Sequence, residues 1–99
     1  MTIVIYLVNF FLAIDTRVVN NNLLESIGSR VVEILKKERT KQGVSMTRFA
    51  EQAGLSQSMI SLSERGLRKP TLDTLLRISF VLEIDLAKVL RKAIDHSKN

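Results

Sequence analysis

The sequence predicts an all-α domain of five helices, and three observations carry that expectation. From about residue 26 onward, apolar residues recur at spacings of three and four, the period of a helix with one buried face. Gly43, Gly54, Gly66 and Pro70 punctuate these periodic stretches where helices would stop and restart. Strict alternation of apolar and polar residues is absent, although Val is frequent. The chain has 99 residues and an apolar fraction of 45%. That is enough for one compact core and not for two domains. Aromatics make up 5% and Trp is absent, so the core must be mostly aliphatic.

The chain divides at about residue 22. Residues 1–22 form an apolar N-terminal extension, and residues 23–99 hold nearly all the charge. In residues 1–14 only Thr2 and Asn9 interrupt the apolar run. Ile3, Val4, Ile5 and Tyr6 suit a strand, while Ile3, Leu7, Phe10 and Ile14 suit a helical stripe. A membrane span needs about 20 apolar residues, so the run is short for one. A secretory signal would carry a basic start and a small-residue cleavage site, and neither is present. Three readings stay open: an extra packing or dimerisation element, an extension from an upstream start codon, and a membrane anchor.

The first helix is expected over about residues 26–42, with Ile27, Val31, Ile34, Leu35 and Glu38 on one face and Gly43 as its stop. The second opens at Ser45, a good N-cap, turns Phe49, Ala50 and Ala53 inward and ends at Gly54. The third opens at Ser56 and runs to Arg65, with Met59, Ile60 and Ser63 inward. Pro70 and Thr71 open the fourth, whose expected stripe is Leu72, Leu75, Leu76, Ile78 and Leu82. Asp85 caps the fifth, striped by Leu86, Val89, Leu90 and Ile94. A domain of this size can use only part of that last apolar surface internally. With Ile84, this stripe is therefore the expected dimer interface.

The informative stretch is residues 45–70, SMTRFAEQAGLSQSMISLSERGLRKP. It reads as a short helix, a tight turn at Ala53, Gly54 and Leu55, and a second short helix. A turn this short between steeply crossed helices needs a positive φ, which Gly54 adopts at little cost. The outer face of the second short helix presents Gln57, Ser58 and Ser61, with Leu62 and Arg65 beside them. Gln can pair with the edge of adenine in the major groove, Ser can donate or accept, and Leu can touch a thymine methyl. Gln57, Ser58, Ser61 and Leu62 are the candidate base contacts. A solvated polar face is the ordinary alternative, and the cations around it weigh against that. Arg48 lies on the first short helix, and Arg65, Arg68 and Lys69 close the second. With exposed helix-start amides and hydroxyls at Ser45 and Ser56, they are the candidate phosphate contacts. The formal net charge of +5 fits a polyanionic partner.

Other chemistries find little support. Cys is absent, which removes disulfides, thiol nucleophiles and thiolate metal sites and fits a cytoplasmic location. His96 is the one His, near the end of the chain, and no Ser among residues 56–63 has a His partner in the helical reading. Asp73 and Glu83 form no acid/base pair, and there is no Gly-rich phosphate loop. The expectation is therefore a chain that is not an enzyme, with no cofactor, metal or small-molecule substrate and with no stable membrane association.

Residues 27–90 resemble the lambda-repressor/Xre-type helix-turn-helix family. The matching runs are Arg30-Val31-Val32, Leu35 to Arg39, Phe49-Ala50, Ala53 to Ser58, Ile60-Ser61, Glu64-Arg65-Gly66 and Pro70-Thr71-Leu72, in order and at the right spacing. The resemblance implies a five-helix DNA-binding domain acting as a homodimer on a roughly two-fold symmetric operator in double-stranded DNA. It also implies that Arg39 and Glu64 pair inside the domain. Within the family, the controller proteins of restriction-modification systems are similar in size and layout. Phage repressors, plasmid regulators and antitoxins of toxin–antitoxin pairs share the same domain, and a membrane-tethered interaction module is the rival from another class. Three positions depart from the family's pattern. It commonly has Ile or Leu at Ser63, a polar residue at Leu62, and Gly at Glu83. Either the third helix is rotated, or Leu62 faces outward and Ser63 sits in the wall.

Overall fold

In the computed structural model the described residues are Val4 and 19–97. Apart from Val4, which is exposed, residues 1–18 of the expected N-terminal extension lie outside them. The described chain is all-α: α1 spans Asn21–Gln42, α2 Met46–Ala53, α3 Gln57–Glu64, α4 Leu72–Leu82 and α5 Leu86–Ser97. No strand occurs among the described residues.

The first helix begins about five residues earlier than its apolar pattern indicates. Asn20, in extended conformation, accepts the Leu23 amide on its side chain at 3.1 Å and starts α1 at Asn21. Side-chain capping of an orphan amide starts a helix without any apolar period, so the pattern alone misses this first turn. The division expected after residue 22 falls inside that turn.

The core is aliphatic around one aromatic. Phe49, Ile60 and Leu82 are the large side chains that are fully enclosed, and Val31, Leu35, Ile78, Leu86, Val89 and Ala93 pack with them. Each helix contributes at least one of these residues, so the core fixes α2 and α3 against the other three. Truncating Phe49 to Ala would cost about 3–5 kcal/mol through lost transfer energy and an unfilled cavity.

The fourth helix is turned differently from the expected stripe. Its buried positions are Thr74, Ile78, Ser79 and Leu82. Leu72 and Leu76 are exposed, together with Phe80. The helix is apolar around most of its circumference, so its pattern does not select a face. Ile78 and Leu82 enter the core, and a residue two before or two after Ile78 then points away, about 200° round the helix. Ser79 and Thr74 satisfy their hydroxyls locally, Ser79 by donating to the Leu75 carbonyl at 2.8 Å. The helix ends at Glu83 with φ 57, a left-handed cap in which an L side chain is strained by about 1–2 kcal/mol. The turn therefore keeps the conformation that Gly adopts readily, and keeps it with Glu.

The fifth helix also divides its stripe. Leu86 and Val89, expected at a dimer interface, are buried within the single chain, because α5 packs along α1. Ile84, Leu90 and Ile94 stay half-buried.

Candidate functional site

Two serines set the frame of the helix–turn–helix pair. The Ser45 hydroxyl accepts the Arg48 amide at 3.3 Å, and the Ser56 hydroxyl accepts the Met59 amide at 3.1 Å. Each hydroxyl used as an acceptor keeps its proton free to donate outward, as to a phosphate oxygen. The remaining first-turn amides of α2 and α3 lie beside these caps and carry the partial positive charge of a helix start.

Between the helices Gly54 has φ 69. The chain therefore reverses within three residues, from Ala53 at the end of α2 to the cap Ser56. Leu55 is partly buried against the core and plugs the corner.

The turn brings five expected residues to one open groove. Gln57, Ser58, Ser61, Leu62 and Arg65 line a cavity of about 420 Å³, with Met46 as its sixth wall. Gln57 and Ser58 are exposed at the start of α3, and Ser61 and Leu62 are half-buried one turn on. Ser63 points the other way and is buried. Of the two arrangements open from the sequence, the structure has Leu62 on the groove and Ser63 in the wall. The Ser63 hydroxyl makes no hydrogen bond there.

One contact in the groove was missed. Gln57 donates from Nε2 to the Thr47 hydroxyl at 2.6 Å. Thr47 lies between Ser45 and Arg48 in the sequence, and only the crossing of α2 and α3 brings it to Gln57. Met46 was missed for the same reason. The available signal was position, since both residues occupy the first turn of α2 and that turn flanks the start of α3.

Of the expected cations, Arg65 lines this groove. Arg48, Arg65 and Arg68 are exposed and form no ion pair among the described residues. Lys69 is exposed and lies 3.8 Å from a Glu25 carboxylate oxygen. Both partners of that pair are well solvated, so it holds Lys69 only weakly.

Behind the groove, Arg39 and Glu64 are joined by two parallel hydrogen bonds, Nε to Oε1 at 2.7 Å and Nη2 to Oε2 at 3.0 Å. Arg39 Nη1 also donates to the Val44 carbonyl at 3.0 Å. The side chains are 14% and 11% exposed, so this bidentate pair is shielded and ties the end of α3 to the end of α1. Among the described residues no group of three or more His, Asp or Glu could hold a metal ion, and no helix is long and apolar enough to cross a membrane.

Comparison with known proteins agrees with this geometry. The helix-turn-helix family model matches residues 35–89. Two curated relatives from Mycobacterium tuberculosis, one each from strains CDC 1551 / Oshkosh and ATCC 25618 / H37Rv, are described as uncharacterized HTH-type transcriptional regulators. Each is 41% identical over 56 residues, a stretch that covers 57% of this chain and 39% of the relative. The chain thus matches about two-fifths of the length of these relatives.

Proposed function

The chain belongs to the helix-turn-helix family, and from that premise we propose that it is a sequence-specific DNA-binding transcriptional regulator. The observation that carries this reading is the groove on α3. Polar side chains of Gln57, Ser58 and Ser61 line it beside Leu62 and Arg65, and Arg48 on α2 and Arg68 just after α3 are exposed and form no ion pair among the described residues. A duplex seated there meets hydrogen-bonding groups at the base edges and cations at the phosphates on either side.

In this reading Gln57, Ser58, Ser61 and Leu62 touch bases. Ser45, Arg48, Ser56, Arg65, Arg68 and Lys69 touch phosphates. Arg39 and Glu64 hold α3 at its angle. The protein acts as a homodimer on a roughly palindromic operator. Half-buried Ile84, Leu90 and Ile94 supply the contact, while Leu86 and Val89 serve the core. Two α3 helices about 34 Å apart would then enter successive major grooves on one face of the duplex. The narrower role we favour is that of a restriction-modification controller, which an adjacent methyltransferase and endonuclease gene pair would establish.

The test is selection from a random duplex library, followed by titration of the winning sequence and of scrambled DNA at several salt concentrations. Specific binding predicts a salt slope shared by both and a large affinity gap between them. Equal affinity for both would reject sequence-specific regulation.

A further inference from the structure

The groove on α3 holds two apolar side chains among its polar lining, and one of them does not belong to α3. Leu62 stands on the second turn of α3, whereas Met46 is the first residue of α2. Both are half-buried, so each keeps an accessible part. Met46 also packs against the core, which anchors it in the groove wall. The starts of the two helices are joined beside it. Thr47, the next residue, accepts from Gln57 Nε2 at 2.6 Å. That bond ties the first turn of α2 to the candidate base contact at the head of α3.

The major-groove edges of the bases are lined by hydrogen-bonding groups, and the one apolar group there is the C5-methyl of thymine. An apolar side chain pressed against a polar base edge desolvates groups that it cannot pair with. Against a methyl, both surfaces gain by leaving water. Met suits such a contact, because its unbranched, polarizable thioether adapts to the shape of its neighbour.

We propose that Met46 is a specificity-determining residue that reads a thymine C5-methyl at or next to the base pair contacted by Gln57. This assignment rests on the DNA reading of the α3 groove. It adds α2 to the elements that choose the sequence, although the neighbours Ser45 and Arg48 are assigned to phosphates. Each half-site then carries a thymine at a fixed place, chosen for its methyl group and distinct from any that Leu62 touches.

The probe is the duplex recovered by selection, remade with deoxyuridine in place of one thymine at a time. Uracil pairs as thymine does and lacks only the methyl. With the parent protein, uracil at the Met46 position of one half-site should weaken binding about four-fold, the worth of one buried CH2 group. Met46→Ala should bind the thymine and uracil forms of that duplex alike, while keeping its sensitivity to uracil elsewhere. Met46→Gln keeps the length of the side chain and should also lose the discrimination, and Met46→Leu should retain it. Leu62→Ala should leave the Met46 position sensitive. Thermal melting of each variant reports its folding separately. Uracil sensitivity that survives both Met46→Ala and Met46→Gln at every position overturns the assignment, as does a specific duplex that no uracil weakens. Equal affinity for the selected and scrambled duplexes instead rejects the DNA reading, and this assignment with it.

Discussion

The guanidinium of Arg77 on α4 donates from Nη1 to the Ala53 carbonyl at 3.2 Å and lies 2.9 Å from where a Cβ on Gly54 would stand. A side chain outside the helix–turn–helix pair thus closes over its turn, and Asp73 holds that side chain in place through a 2.9 Å bond to Nε. Gly54 is favoured by its φ of 69, and a Cβ there would also make the end of the Arg77 side chain shift. Gly54→Ala should therefore destabilise the fold by about 1–2 kcal/mol from backbone strain. Arg77→Ala in the same chain should recover part of any excess over that figure. Chemical denaturation of the two single variants and the double variant measures this, and strict additivity would show that the guanidinium simply moves aside.

Glu64→Ala should lower stability by about 3–5 kcal/mol, because it leaves the shielded Arg39 guanidinium without its bidentate partner. The Arg39 bond to the Val44 carbonyl would remain. Thermal melting is the direct check. A variant within a degree or two of the parent would mean that water replaces the carboxylate without cost.

Ser63→Ala should stabilise the domain. The hydroxyl is buried among Leu35, Phe49, Ile60 and Ile78 and has no partner. An unmade buried hydrogen bond costs roughly 1–3 kcal/mol, and Ala removes the polar atom while leaving only a small void. A denaturation midpoint below the parent's would indicate that the hydroxyl is satisfied by bound water.

On DNA, Gln57→Ala should cost about 1–3 kcal/mol on the preferred sequence and relax one base pair per half-site. Thr47→Val removes the hydroxyl that accepts from Gln57 and should produce a smaller loss at the same base pair. Arg68→Ala should weaken binding to every sequence and reduce the salt slope by about one. Gel-shift titrations over a salt series separate these effects. A Gln57→Ala loss that is equal on preferred and scrambled DNA would remove it from the base contacts.

For the proposed dimer, Ile94 is the cleaner probe, since Leu90 also packs against the core. Ile94→Lys should give a folded monomer whose operator binding is much weaker, each half-site then binding alone. Sedimentation velocity on parent and variant decides between this contact and any other. A variant that stays dimeric points away from α5.

The sequence by itself determined the helical class, the places where α2 and α3 begin and end, and the polar outer face of α3. These features depend on interactions within a few residues, such as a serine cap, a glycine turn or a 3.6-residue period. It also placed Arg39 and Glu64 as partners, by resemblance rather than by geometry. The start of α1 was hidden because Asn20 caps it with a polar side chain that leaves no apolar trace. The tertiary structure alone decided which side of α4 is inside. That helix is apolar nearly all round, and only competition for one core buries Ile78 and Leu82 while leaving Leu72, Leu76 and Phe80 outside. The same competition drew Leu86 and Val89 inward, and the crossing of α2 over α3 set Thr47 against Gln57. Such choices join residues far apart in the chain, and a periodicity read along one segment carries no information about the segment it will meet.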